Sequence, residues 1–492
     1  MNSIFYNRNK ELIALQKRYN SNKFELICVY GRRRIGKTQL IIESLKGRKC
    51  ITCTGLKTTY EENLKNLSYA FLSVLMPNMP IPTFNSFREL FQFINNIDSF
   101  INGDYIIALD EFPLLCGNDD ELASVLQYSI DHYWIGSKLK LLLCGSSITF
   151  MTEKVLSGDS PLYGRLTLSL EIKPFKLWEM KSYNWHYSIE DITILYSILG
   201  GIPRYLNLVD SSKTVDENIF EIFFSQDALL AGEVDDLLKE EFKEVSRYSV
   251  ILASIADGKS SLNEISQALN MQTGTVSFYL TNLIRVGIVI KEVPLGSVNN
   301  KKAIYSIHDG LFRFFFKFVR PNINMINFGQ GKHVLDYLVK PYLSVYMGAE
   351  WEHISIEYLS ASFNPIRDPF LYSNLSRWWG GDKKTKTQIE IDCISTYEDK
   401  ALFGECKWTK ETVNEDILIK LQNKAEQFNY KFKYYYLFSK SGFNEGLYVK
   451  ASIDDTIKLI SLEEVYNYIQ SWILKFLRFV LWGIFKVIIK FW

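Results

Sequence analysis

Histidine is scarce in this chain, with five in 492 residues. The five are scattered, which argues against a His-based metal centre. Cysteine is odd in number: Cys28, Cys50, Cys53, Cys116, Cys144, Cys393 and Cys406. Most lie in apolar, strand-like runs, which suits buried thiols in a reducing compartment rather than a disulfide framework. Cys50 and Cys53 form a lone CxxC with no second pair of ligands and read as structural. Charge of one sign is also lacking. Lys and Arg number 56 against 55 Asp and Glu, a formal net charge of +1. Bulk charge therefore does not point to nucleic acid, and any basic surface must be local. The N-terminal stretch MNSIFYNRNKELIALQKRY has no apolar signal-peptide core, so the expected location is cytoplasmic. No internal repeat or low-complexity tract is present.

What the chain does have is apolar substance. Hydrophobic residues make up 47% of it, enough for a sizeable core, and the length implies two or three domains. In residues 1–22, Leu12, Ile13, Leu15 and Tyr19 recur at helical spacing. FELICVY (24–30) is a strand-length run that leads into GRRRIGKT and then an apolar helix. KCITCTG (49–55), DYIIALDEF (104–112) and KLKLLLCGSS (138–147) read as further buried strands. The expected class is α/β, with a parallel sheet of the P-loop NTPase type over 1–175. A helical lid (176–240) follows. Two helices, a turn and two strands around LGSVNNKK predict a winged helix over 241–320. A helical linker (321–345) leads to an α+β domain (346–465). A basic tail helix (466–492) ends the chain.

Gly31, Arg32, Arg33, Arg34, Ile35, Gly36, Lys37 and Thr38 complete the pattern GxxxxGK[ST]. Glycines let backbone N–H groups wrap phosphates at a helix N-terminus. Lys37 is expected on the β- and γ-phosphates of ATP and Thr38 on Mg²⁺. Asp110, at the end of four apolar residues, is expected to bind Mg²⁺ directly or through water, and Glu111 would polarise the attacking water. Ser146 or Ser147 would hold the lytic water or the γ-phosphate. Arg165 in LYGR is a candidate for stabilising transition-state charge, with Arg204 a weaker one.

In the order FYNRNKEL, GRRRIGKT, ALDEFP, CGSS, LYGR and GGIPRYL, these motifs resemble the archaeal-type ATPase family, near the AAA+ and STAND ATPases. The resemblance reaches to about residue 465. It implies an ATPase core, a winged helix and, over 346–465, a restriction-endonuclease-like domain similar to the PD-(D/E)xK nucleases. It also implies that Asn7 and Arg8 lie near the adenine.

The stretch IEIDCISTYEDKALFGECKW (389–408) predicts two buried strands joined by a turn. Glu405 and Lys407 share a face because side chains alternate with period two, and Asp392 faces them across the ladder. Two carboxylates and a lysine can hold a divalent cation and stabilise a phosphodiester transition state. Together with the resemblance, this transfers Glu352, Asp392, Glu405 and Lys407 as a nuclease-like set, with Gln422 beside it and Glu390 turned away. The bland alternative is a salt-bridged sheet. That alternative would make the chain a STAND-like signalling or scaffold ATPase.

DNA is the expected partner. The second helix of the winged helix carries only Arg285, and its wing Lys301 and Lys302, a thin phosphate footprint. Arg377, Lys383, Lys384 and Lys386 beside two tryptophans suit a DNA groove. A homo-oligomer is left open. In the tail, residues 471–492 contain no acid, and Lys475, Arg478, Lys486 and Lys490 fall on one helical face. Such a helix suits a membrane surface, a protein partner, or packing on the chain itself.

Overall fold

The computed structural model describes residues 5–117, 121–296, 302–372, 374–381 and 387–469. The chain divides into two compact units. The first contains residues 1–174 and takes back two short segments, Ile202–Asn207 and Leu237–Lys243. The second holds the rest.

The first unit is built on five parallel strands: β1 (Glu25–Tyr30), β2 (Cys50–Thr54), β3 (Ile106–Asp110), β4 (Lys140–Gly145) and β5 (Leu166–Glu171), in the order β2-β3-β4-β1-β5. The α/β class expected from the sequence holds. β1, β3 and β4 are buried almost throughout, so they read as continuous apolar runs. β5 was not foreseen. It is an edge strand with no buried residue, half-buried at Leu166, Thr167, Leu168 and Leu170 and exposed at Ser169 and Glu171, so its apolar signal is weak. The N-terminal helix Asn9–Tyr19 buries Leu15 and Tyr19 but leaves Ile13 45% exposed. The apolar spacing thus overstated the width of its buried face. Phe71, Phe91, Phe100 and Trp134 anchor the main core on one side of the sheet.

In the second unit, helices Val245–Ala256, Leu262–Leu269 and Thr273–Arg285 precede an antiparallel hairpin of β6 (Val289–Glu292) and β7 (Ile304–Ile307). The chain then runs through short turns, three of them wide π-type turns between Phe315 and Val339, into helix Lys340–Ser362. A second five-stranded sheet follows, with order β12-β11-β10-β9-β8. Its strands are β8 (Ser376–Gly381), β9 (Gln388–Tyr397), β10 (Lys400–Lys407), β11 (Phe432–Ser439) and β12 (Ile457–Ser461). β9 runs antiparallel to both of its neighbours, β8 and β10, whereas β10, β11 and β12 run parallel. Helix Glu415–Ala425 makes the crossover from β10 to β11. The tail helix expected at 471–492, with Lys301, Lys383, Lys384 and Lys386, lies outside the described residues. No helix among those described is long and apolar enough to cross a membrane.

Candidate functional sites

The phosphate loop spans the turn between β1 and helix Lys37–Leu45. Three of its residues have positive φ: Gly31 at 147°, Arg34 at 67° and Gly36 at 91°. Gly31 is required sterically, because a Cβ there would sit 2.5 Å from the carbonyl oxygen of Ile172. Such a path leaves successive N–H groups directed into the loop's concavity. Lys37 is buried, and its ammonium donates to the carbonyls of Gly31 (2.8 Å) and Arg32 (2.9 Å). Burial holds its pKa below the ordinary lysine value, against the opposing pull of Cys144, Glu111 and Asp110. Arg8 donates to the carbonyl of Ile35 at 3.3 Å, so the N-terminal segment lies against this loop.

β3 supplies the acids. Thr38 Oγ1 donates to Asp110 Oδ2 at 2.7 Å, bringing the two oxygen ligands expected for Mg²⁺ together. Glu111 stands just past the strand in the left-handed region, φ 47°, and begins helix Phe112–Cys116. Its Oε2 accepts from Ser146 Oγ at 2.7 Å and from the Ser146 N–H at 3.4 Å. The two serine candidates therefore separate. Ser146, the residue just past β4, engages the acid that would polarise water. Ser147 caps a helical turn, accepting from the Phe150 N–H at 3.3 Å. Arg165 is held elsewhere in this unit. Its guanidinium pairs with both oxygens of Asp131, at 2.7 and 2.6 Å, and donates to the carbonyls of Pro161 and Tyr163. Arg204 approaches the loop through its backbone, donating to the Arg34 carbonyl at 3.4 Å, while its side chain is exposed.

The second cluster lies in the C-terminal sheet. Gly404 pairs with Cys393, which sets Asp392 beside Glu405 across the β9–β10 ladder. Both carboxylates are buried. Asp392 Oδ2 accepts from the Cys406 N–H at 2.8 Å. One oxygen of Glu405 takes Lys407 at 2.6 Å, and the other takes Lys424 at 2.8 Å. Lys424, on helix Glu415–Ala425, was missed; Gln422 had been favoured on that helix instead. No spacing rule ties a helix lysine to a strand acid before the crossover is known.

Helix Lys340–Ser362 brings Glu352 toward the same place. Burial, and then the charge of Asp392, pushes the Glu352 carboxyl well up. Burial and the nearby Glu405 likewise raise Asp392. Glu352 is held by Arg377 at 3.2 Å, and the same guanidinium reaches Glu390 and Glu292. Two expectations change here. Glu390 does not turn away: it lies two residues from Asp392 on one strand and meets Arg377 beside Glu352. Arg377 is not a free basic contact for DNA, because three carboxylates surround it. Among the described residues, no three His, Cys, Asp or Glu side chains converge on a point that could hold a metal. Glu352, Asp392 and Glu405 are therefore not gathered as one three-acid centre. Asp392 and Glu405 do fit a divalent cation as a pair, since Mg²⁺ is usually held by one or two carboxylates plus water and phosphate oxygens.

A loop of this shape on a parallel sheet, with Lys37, Thr38, Asp110 and Glu111 around it, defines a P-loop ATPase. A family model described as an ATPase domain predominantly from Archaea matches residues 5–209. A second, described as archaeal and bacterial proteins of unknown function, matches residues 315–423. An uncharacterized protein of Methanocaldococcus jannaschii is 34% identical over 417 residues, covering 84% of this chain and 89% of that protein. An uncharacterized ATP-binding protein of the same organism is 50% identical over 46 residues, 9% of this chain and 78% of that protein. Among solved structures, a Walker-type ATPase of Pyrococcus abyssi superposes with a TM-score of 0.48 at 22% identity, covering 64% of this chain and 96% of that one. The chain belongs to the archaeal-type P-loop ATPases, in the branch that joins the ATPase domain to a C-terminal domain of unknown function.

Proposed function

We propose that this ATPase acts on DNA and that its C-terminal sheet carries a metal-dependent phosphodiesterase site. One observation carries the reading: two buried carboxylates face each other on adjacent strands with a lysine two residues beyond. Burying like charges together is unfavourable unless cations join them. Mg²⁺ held by Asp392 and Glu405 would activate water and offset charge on the scissile phosphate. Lys407 would then stand within reach of that phosphate, and Glu352 would complete the acidic wall once Arg377 releases it. The helices of 245–285 and the β6–β7 hairpin form a winged helix in this reading. Its helix Thr273–Arg285 would lie on the duplex. On the ATPase side, Thr38 and Asp110 would hold Mg²⁺ and Glu111 would orient water.

A second reading rests on the balance of charge already present. Glu405 has two lysines and Glu352 an arginine, so the cluster can persist as a structural network. The chain would then be a signalling or scaffold ATPase. Nicking of supercoiled and linear DNA with Mg²⁺ or Mn²⁺, with and without ATP, decides between them. Cleavage is expected in the wild type, lost in Asp392→Ala and Lys407→Ala, and altered in rate by Lys37→Ala. Intact ATP hydrolysis with no cleavage under any condition would leave the scaffold reading.

A further inference from the structure

The segment Leu237–Lys243 belongs to the nucleotide-binding unit although it lies far downstream in sequence. It contains the end of helix Glu233–Glu241, which finishes on two glutamates. A helix C-terminus carries partial negative charge and disfavours acids in its last turn. Something outside the helix must therefore favour them there. Arg33 of the phosphate loop does so: its Nη1 lies 2.8 Å from Glu240 Oε1. Burial pushes the neighbouring Glu241 carboxyl up to about 7, while Arg32, Arg33 and Lys37 pull against that rise. The cations expected to meet phosphate thus already face two carboxylates. Carboxylate and phosphate compete for a guanidinium because both offer paired oxygens to the same fork of N–H donors.

We propose that Glu240 and Glu241 form an internal anion on the arginine side of the phosphate loop, and that the phosphates of a bound nucleotide displace it. The latch and the nucleotide then weaken each other by the same factor, as any two ligands of one site must. Only Phe242, Lys243 and Glu244 separate Glu241 from helix Val245–Ala256. Displacement of the latch therefore acts on the chain that enters the downstream helices. The inference rests on nucleotide binding at the loop and not on DNA cleavage.

The test is equilibrium titration of the full chain with N-methylanthraniloyl-ADP, read by fluorescence. Glu240→Gln is expected to tighten binding about two- to fivefold, the range of a partly exposed ion pair. The double variant with Glu241→Gln should reach about tenfold, and the gain should fall in about 0.5 M salt, where the Debye length is a few ångströms. Asp235→Asn removes the same charge from an exposed position on the same helix and is expected to bind as the wild type does. The nucleotide-induced rise in melting temperature should grow in the double variant. Unchanged or weaker binding in the glutamine variants, or an equal gain in Asp235→Asn, overturns the latch. Lys37→Ala, expected to lose binding, separates failure of the loop itself from failure of the latch.

Discussion

The two sites meet similar demands by opposite means. The phosphate loop uses backbone: glycines at positive φ, N–H groups turned inward and one buried lysine. Its acids arrive at the end of β3, with β4 between that strand and β1. The C-terminal cluster uses side chains almost alone: five carboxylates and three cations on β8, β9, β10, the β6–β7 hairpin and two helices. A site made of backbone is fixed by local sequence. A site made of side chains is fixed only once distant elements pack. The first therefore tolerates little substitution at its glycines, and the second should respond to charge.

The largest effect tests the chemistry of the loop. Glu111→Gln keeps size and the acceptor for Ser146 but removes the carboxylate proposed to activate water. ATP turnover should fall about a hundredfold or more, with nucleotide affinity nearly unchanged. Ser146→Ala removes the hydroxyl that holds Glu111 and should lower turnover far less. Equal losses in the two, measured by phosphate release, would make Ser146 the group that positions water.

The glycines separate the sites next. Gly31→Ala places a Cβ against the backbone oxygen of Ile172, which cannot move without β5. Overpacking of this kind destabilises by about 1–3 kcal/mol, and nucleotide binding should go with it. Gly404→Ala meets the Cys393 side chain at 2.9 Å, at a position whose φ is ordinary. It should fall at the low end of the same range and leave ATP hydrolysis alone. Chemical denaturation of both variants checks the ranking.

This contrast also explains what the sequence made legible. GxxxxGK[ST], the strand ending in Asp110 and Glu111, and the β9–β10 hairpin could all be read because each is a contiguous run with its own periodicity. β5 and β8 were missed. β5 is only half buried, and β8 is an interrupted SRWWGG pairing through a bulge. Lys424 and the Arg377 partners were also missed, since they depend on which helix crosses which strand. Face alternation was legible in principle for Glu390, two residues from Asp392, and the side expected for it was wrong.

Charge dependence should be measurable at Glu350, which shares helix Lys340–Ser362 with Glu352. Burial pushes its carboxyl up to about 7 despite the Arg313 guanidinium against it. A carboxyl raised in the fold binds its proton more tightly there than in the unfolded chain. Its contribution to stability is thus full below the unfolded value of about 4.3 and is lost as pH rises through about 7. Glu350→Gln has no proton to lose. Urea midpoints between pH 5 and 8 should fall in the wild type more than in the variant. Parallel slopes would mean that Arg313 keeps the carboxylate charged.

The smallest effect belongs to Arg165. Its pairing with Asp131 is partly exposed, with side chains 26% and 32% accessible. Exposed pairs contribute about 0–1 kcal/mol, so Asp131→Ala should hardly change stability. It does, however, free the guanidinium. If Arg165 serves only to tie Ile130–Trp134 to the turn before β5, Arg165→Ala and Asp131→Ala will leave ATP turnover alike and near wild type. If the arginine meets the γ-phosphate of a neighbouring molecule, Arg165→Ala alone will lose turnover, and the loss will depend on protein concentration. Measuring turnover across a dilution series therefore separates a structural arginine from one supplied in trans.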